Sequence, residues 1–311
     1  MNRSFRNSFT QLSFFFLAVP ILFIAYNCTN DEPVQKGDPK YLAEIEQWHS
    51  KRIERLKGEN SWLNLAGLFW LKEGENKFGS ASSNDLIFPK DKSPDFIGTL
   101  ILKDSIVSIK VAEGINVTTD DKPVTELQLK DDLSDNPTIL KLGSLKWYAV
   151  KRGDRYGIRL RDLESDLVKN FTGIERFPVN DKWKISASFV PFEKPKIISI
   201  PTIIGTPDEM TCKGELHFKI DGKDYSILPV DEDGKLFIIF ADETNGEETY
   251  GAGRFLYADP PDSTGKVIID FNKAYNPPCI FTPFATCPLP PKENVIRTKI
   301  TAGEKLWGKG H

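Results

Sequence analysis

The chain has 311 residues, enough for one large domain or two modest ones, and 40% of them are hydrophobic and 27% charged. The formal net charge is −3. This mildly acidic, mixed composition excludes nucleic-acid binding, because that function requires a clustered basic face. The sequence therefore predicts a globular protein without a nucleic-acid partner.

The N-terminus has the pattern of an export signal. Two arginines precede an apolar run over residues 12–26, which is too short to span a bilayer and has the length of a signal-peptide core. Cys28 follows after Asn27 and precedes a polar stretch, as in lipoproteins whose acylated cysteine becomes the first mature residue. We expect a signal peptide over 1–27, lipidation of Cys28, a tether over 28–38, and a cell-envelope location with the lipid anchor as the membrane contact. The alternative is an ordinary signal peptide with an incidental cysteine.

Residues 39–57 have the spacing of an amphipathic helix. Asp38 is a favourable N-cap, and Pro39 is tolerated at the first helical position. Apolar residues then recur every three or four positions until Gly58 ends the run. We expect a helix lying on a core, with His49 at its surface or boundary.

The rest of the chain has the pattern of β-structure. Short apolar stretches of period two alternate with clusters of Gly, Pro, Asn and Asp, which predicts many short strands in a sandwich or barrel. We place a first β-domain, together with the helix, over residues 39–163, and a second β-sandwich or barrel over residues 164–307. The predicted fold is mainly β, with the two β-domains packed together and one N-terminal amphipathic helix.

The strand order of the first β-domain resembles that of a forkhead-associated (FHA) sandwich. The resemblance is carried by Gly79-Ser80 before a strand and by the later segment Gly157-Ile-Arg-Leu-Arg-Asp162. The phosphothreonine pocket of that family needs an arginine after the glycine and a Ser-x-x-His pair. Here Ser80 follows Gly79, and residues 94–97 are Pro-Asp-Phe-Ile. The resemblance therefore implies the fold without the pocket.

Polar residues are concentrated between positions 240 and 305. Alternation along a predicted strand over 248–257 places Tyr250 and Arg254 on one face. If this strand forms a hairpin with a second predicted strand over 266–271, Asp270 lies opposite or diagonal to Arg254, close enough for an ion pair. The sequence thus predicts a shared polar face.

Three functions are compatible with this face. In the first, Arg254 binds a small polar or anionic ligand or a peptide. In the second, Asp242 and Asp270 are the paired carboxylates of a cofactor-free hydrolase or lyase, and Tyr250 and Arg254 steady the substrate. In the third, the Arg–Asp pair is structural and the protein is a structural envelope component. The candidate ligand-binding residues near the face are Thr244, Thr249, Asn272, Tyr275 and Asn276.

Standard catalytic signatures are missing from the sequence. There is no Gly-x-Ser-x-Gly elbow, no His-Glu-x-x-His and no phosphate-binding glycine loop. Of the three histidines, His217 is predicted on the solvent side of its strand, away from the apolar residues. We expect no cofactor and no metal.

Cys279 and Cys287 form the predicted disulfide. They are close in sequence, and an exported protein meets an oxidising compartment. Two free thiols and a metal site are the alternatives, although a metal would need further Cys or His ligands nearby.

The C-terminal region resembles the signature of a bacterial family, domain-of-unknown-function family 1684. The resemblance is carried by Asp270-Phe-Asn-Lys-Ala-Tyr-Asn-Pro-Pro-Cys279 and by Thr286-Cys-Pro-Leu-Pro-Pro291. Trp62-Leu-Asn-Leu-Ala-Gly-Leu-Phe-Trp-Leu71 and Thr249-Tyr-Gly-Ala-Gly-Arg-Phe-Leu256 are similar to it too, and the resemblance covers roughly residues 44–306. It implies exported or envelope-associated proteins that form one integral unit. It implies no particular activity.

Overall fold

One long helix precedes the sheets. In the computed structural model, which describes residue 1 and residues 34–308, helix α1 spans Pro39–Lys57. The Asp38 side chain accepts hydrogen bonds from two N–H groups of the first turn, and Gly58 follows the last turn. The helix prediction is therefore confirmed. Among the described residues, no helix has both the length and the apolar character needed to cross a membrane.

The packed face of α1 carries two polar residues that apolar spacing does not reveal. His49 and Arg52 are each 8% exposed and lie in the same row as Ile45 and Leu56. The expectation of a surface or boundary position for His49 is therefore wrong. It is buried because it lies one helical turn after Ile45 and two turns before Leu56, along the face that meets the rest of the protein.

The first β region is a two-sheet sandwich. Its sheets have the strand orders β1-β11-β10-β9-β6-β7 and β3-β2-β4-β5-β8. Trp147 and Phe78 are among the buried side chains between them. The strands are β1 (Leu65–Trp70), β2 (Gly74–Gly79), β3 (Leu86–Ile87), β4 (Gly98–Lys103), β5 (Ile106–Val111), β6 (Thr118–Thr119), β7 (Lys122–Pro123), β8 (Glu126–Leu129), β9 (Leu140–Leu142), β10 (Leu145–Arg152) and β11 (Arg155–Asp162).

The second β region also has two sheets, and a short helix α2 (Asp166–Lys169) precedes it. One sheet has the order β14-β13-β12-β18, and the other has the order β15-β16-β17 with β19 beside β16. These strands and sheets confirm the prediction of a mainly β chain with one long N-terminal helix. The strands are β12 (Lys184–Ile200), β13 (Asp208–Ile220), β14 (Lys223–Ile227), β15 (Val230–Glu232), β16 (Lys235–Asp242), β17 (Arg254–Ala258), β18 (Lys266–Asp270) and β19 (Val295–Ile296).

The β15–β17 sheet is buried on both faces. Ile238 and Leu256 face the core shared with the β12–β14 sheet. Phe237 and Phe255 face a separate core that includes Leu56 of α1. Neighbouring residues of β16 and β17 therefore point into different environments, because side chains alternate along a strand.

Residues Gln35–His311 belong to one compact unit. The Lys36 backbone, within the predicted tether, pairs with that of Asn180. Apart from Met1, the predicted signal peptide lies outside the described residues, and so does Cys28. The division into β-domains at 163/164 stays a prediction.

Candidate functional site

The structure separates the two halves of the predicted polar face. β17 pairs with β16 and places Arg254 opposite Phe240, whereas β18 pairs with β12 and places Asp270 opposite Lys184. The predicted hairpin and its Arg254–Asp270 ion pair are therefore wrong. The two strands were expected to pair with each other because they are consecutive, but β17 pairs with the strand before it, β16, and β18 pairs with β12, which is distant in sequence.

The chain before β17 is a turn rather than the predicted strand over 248–257. Gly253 has φ +90°, and a Cβ built there would lie 2.6 Å from the Phe240 carbonyl oxygen. This close approach requires glycine and ends the regular strand geometry at that point. Tyr250 consequently does not share a strand face with Arg254. It packs in the core on the opposite side of the sheet, where burial raises the pKa of its hydroxyl.

Arg254 forms a completely buried ion pair with Asp242. Their charged groups are 2.7 Å apart, and both side chains are 0% exposed. The guanidinium also donates to the carbonyl oxygens of Ile300 and Ala302. Burial lowers the pKa of Arg254, and the Asp242 carboxylate opposes that shift. Because Nη1 and Nη2 both donate to protein acceptors and the side chain is 0% exposed, Arg254 has no geometry for clamping an external ligand.

Thr244 and Thr249 extend this buried network. The Thr244 hydroxyl lies 2.7 Å from Asp242 Oδ1 and 2.8 Å from the Thr249 hydroxyl, and both threonines are fully buried. Asp242 Oδ1 also accepts from the Ile300 N–H. The network joins the turn after β16 to the segment after β19.

Asp270 and Asn272 attach helix α1 to the β12–β18 sheet. The Tyr41 hydroxyl donates to Asp270 Oδ1 at 2.8 Å, and Asn272 Nδ2 lies 2.9 Å from the Tyr41 oxygen and from the Asn180 carbonyl oxygen. Burial, together with the negative charge of Asp270, raises the pKa of Tyr41. Asp242 and Asp270 take part in separate networks, so the structure does not bring them together as paired carboxylates.

Asn276 is also committed to internal contacts. Its backbone N–H donates to the Glu304 carboxylate at 2.7 Å, and its side chain donates to the Lys305 carbonyl oxygen. Glu304 in turn forms a buried ion pair with Arg52 of α1 at 2.8 Å. Tyr275 is therefore the one predicted ligand-binding residue, among those described, that lines an open cavity.

That cavity is a cleft of about 620 Å³ between the two β regions. The first region contributes Arg159 of β11 and the end of β10, and the second contributes residues from β13, β16 and β17 and from the loop of the Cys279–Cys287 disulfide. The disulfide prediction is confirmed. The volume lies within the range of about 300–1,000 Å³ that is typical of small-molecule sites.

Arg159 is the unusual residue of the cleft. It is 5% exposed, and its Nε has no hydrogen-bond partner among the described residues. Nη2 lies 3.4 Å from the Thr286 hydroxyl, Tyr148 and Asp132 lie near enough to favour its charged form, and no described carboxylate lies within 4.0 Å of its nitrogens. Burial lowers the pKa of Arg159, yet an arginine stays protonated near neutral pH. The cleft therefore contains a buried cation without a counter-ion.

Other charged groups also line the cleft. Arg152 binds Asp132 at 2.9 Å, which neutralises both. Asp208 is partly buried, and burial raises the pKa of its carboxyl group. Within residues 34–308, no three His, Cys, Asp or Glu side chains are grouped so that they could hold a metal ion.

Sequence reasoning missed Arg159, although a signal was present. In Gly157-Ile-Arg-Leu-Arg-Asp162 two arginines alternate with two apolar residues, and the structure buries both faces of the strand. Ile158 and Leu160 face the sandwich core, so Arg159 and Arg161 point to the opposite side of the sheet. Arg161 is satisfied there by Asn64 Oδ1 at 2.9 Å, near the end of α1, whereas Arg159 lines the cleft. Regularly spaced arginines in a strand beside a large second layer indicate buried polar contacts.

One family model and several solved structures are similar to parts of the chain. Residues 169–305 match the sequence model of the family described as "Protein of unknown function (DUF1684)". No curated protein matches the chain at a significant level. An uncharacterised protein of Haloarcula marismortui, solved by NMR, is 29% identical, with coverage of 44% of this chain and 78% of that one and a TM-score of 0.38.

FHA domains are also among the solved structures that are similar to parts of the chain. One, from a study of phosphothreonine-dependent FHA interactions, is 17% identical and covers 30% of this chain and 92% of that chain, with a TM-score of 0.22. Another, the FHA structure named Rv0020c_FHA, is 19% identical over 33% of this chain and 98% of that chain, with a TM-score of 0.21. The two matches cover about a third of the chain each and say nothing about the cleft.

Proposed function

We propose that the cleft binds a small anionic ligand on the Arg159 guanidinium. The description of the DUF1684 family, to which residues 169–305 belong, gives no activity. The observation that carries the proposal is the burial of this cation without a carboxylate partner. Removing a charge from water costs several kcal/mol unless a partner compensates for it. A buried charge that destabilises the protein is expected where the charge has a function, and a bound anion would supply the missing partner.

The chemistry of the neighbouring groups supports an anion of modest size. The planar guanidinium can donate two parallel hydrogen bonds to a carboxylate or phosphate, and the Thr286 hydroxyl is close enough to add another. Of the acidic groups that line the cleft, Asp132 is paired with Arg152, and neither Asp208 nor Glu232 lies within 4.0 Å of a nitrogen of Arg159. We expect the ligand to enter the cleft with its anionic group directed at Arg159.

Arg159→Met tests this proposal, because methionine keeps the apolar stem and removes the charge. Inorganic phosphate and acetate, added to the wild-type protein, should raise its melting temperature and perturb the cleft in a titration followed by calorimetry or NMR. Arg159→Met should abolish that response. Arg155→Met is the matched control, because Arg155 lies on the same strand but is exposed and stacks on Trp70 outside the cleft. It should bind the anions as the wild type does.

The stability of the ligand-free variant provides a second, independent readout. If Arg159 is kept for binding, Arg159→Met should be as stable as the wild type or more stable, because it removes an uncompensated buried charge. A loss of several kcal/mol would show instead that Arg159 holds the fold together, and the proposal would then fail.

We also propose that the chain is exported and lipid-anchored at Cys28, as the sequence predicts. The Cys279–Cys287 disulfide supports this, since such bonds persist mainly in oxidising compartments. Metabolic labelling with tritiated palmitate should mark the wild-type protein and not Cys28→Ser. Equal labelling of both would contradict the anchor.

A further inference from the structure

One wall of the same cleft is aromatic. Tyr257, Phe237 and Tyr275 form a row of nearly parallel rings on the β15–β17 sheet, with centroid distances of 4.8 Å from Phe237 to Tyr257 and 6.3 Å from Tyr257 to Tyr275. Phe255 packs edge-on against Phe237 at 5.0 Å and against Tyr275 at 5.9 Å. All four side chains line the cleft that contains Arg159.

Polar contacts hold two rings of this wall in place. The Tyr257 hydroxyl donates a short hydrogen bond to Glu232. The guanidinium of Arg52 lies 4.5 Å from the centre of the Tyr275 ring, and Glu304 fixes Arg52 through a buried ion pair. A ligand would therefore meet a preorganised surface, which lowers the entropic cost of binding.

Tyr257 is the member of the wall with the most accessible surface. It is 40% exposed, whereas Phe237 and Phe255 beside it are 5% exposed. The exposed part of Tyr257 lies in a concave cleft rather than on a convex surface.

From these observations we propose that the anionic ligand carries an aromatic ring: the anionic group binds Arg159, and the ring packs on Tyr257 in the aromatic wall. This inference rests on the proposed anion binding and adds the chemical class of the ligand. Aromatic rings prefer offset-stacked and edge-to-face contacts with other rings, and such contacts add to what the buried area alone supplies. A wall that presents both ring faces and ring edges suits an aryl carboxylate or aryl phosphate better than an alkyl one.

A panel of four probes tests the proposal on the wild-type protein: inorganic phosphate, phenyl phosphate, cyclohexyl phosphate and glucose 1-phosphate. Phenyl phosphate should bind more tightly than each of the others, by about three- to tenfold over cyclohexyl phosphate. Equal affinity for the phenyl and cyclohexyl esters, or tighter binding of the sugar phosphate, would overturn the aromatic ring while leaving anion binding intact. Absence of binding by all four probes would overturn the proposed function together with this inference.

Substitutions of Tyr257 localise the effect. Tyr257→Leu should weaken phenyl phosphate about three- to tenfold and leave inorganic phosphate unchanged, whereas Tyr257→Phe, which keeps the ring, should retain the affinity. Phe96→Leu is the control, because Phe96 is similarly exposed at 42% but does not line the cleft. If Tyr257→Leu folds and binds phenyl phosphate as tightly as the wild type does, the ring does not pack on this wall.

Discussion

The buried pair of Asp242 and Arg254 allows a prediction that separates a structural role from a binding role. Asp242→Asn removes the negative charge and one acceptor while keeping the size of the side chain. Asp242 Oδ2 accepts from Arg254 at 2.7 Å, and Oδ1 accepts from the Thr244 hydroxyl and N–H and from the Ile300 N–H. A single amide oxygen cannot serve both sets of donors, so at least one buried donor would lose its partner.

The expected cost is large because both side chains are 0% exposed. Breaking a buried ion pair by removing one partner typically costs about 3–5 kcal/mol, since the remaining charge is left uncompensated. This is a substantial part of the about 5–15 kcal/mol that stabilises a typical protein. Urea unfolding, followed by tryptophan fluorescence, should therefore show a lower free energy of unfolding by about that amount.

Asp262→Asn is a closely matched control. Asp262 accepts from the N–H and the hydroxyl of Thr264 at 2.8 and 2.7 Å, the same two-residue pattern that Asp242 makes with Thr244. It is exposed and has no arginine partner within 4.0 Å among the described residues. Asp262→Asn should therefore cost only a small fraction of the effect at Asp242. Equal effects at the two sites would refute the reasoning, because the turn rather than the buried charge would then determine the loss.

Three further perturbations test other parts of the structure. Burial lowers the pKa of His49, so below the ordinary pKa of about 6.5 the unfolded chain binds a proton at this residue more readily than the folded protein does. The free energy of unfolding should therefore decrease as the pH is lowered below that value, by at most about 1.4 kcal/mol per pH unit, and His49→Gln should flatten that slope in urea titrations. Replacing Cys279 and Cys287 by serine should cost about 2–3 kcal/mol in the same assay, and an unchanged value would contradict a stabilising disulfide. Arg52→Met should cost about 3–5 kcal/mol, because it leaves a buried carboxylate unpaired, whereas Arg55→Met, exposed on the same helix, should change stability little; similar losses would disprove the role of the ion pair.

Local rules were sufficient for the helix and for most strands. The limits of α1 follow from Asp38, Pro39 and Gly58, whose effects act within one helical turn. The β-content follows from the period of two, which is imposed by the pleat of each strand. The Cys279–Cys287 bond was also predictable, because the two residues are only eight positions apart.

Strand pairing over long distances was not predictable in the same way. Alternation correctly indicates that Arg254 and Leu256 share one face of β17, but it does not state which sheet lies against that face. Consecutive strands pair often but not always, and here β18 pairs with β12, which lies more than sixty residues earlier. The partner of Arg254 therefore became Asp242 rather than Asp270.

The sequence by itself determined the long helix with its caps, most of the strands and the disulfide, because these depend on residues that are neighbours along the chain. Only the tertiary structure decided which polar groups are enclosed and which face a cleft. Arg254 and Arg159 are both arginines in predicted strands, yet one is satisfied by a carboxylate and the other is not. That difference depends on how separate sheets pack against one another, and the energy of a charge depends on everything that surrounds it.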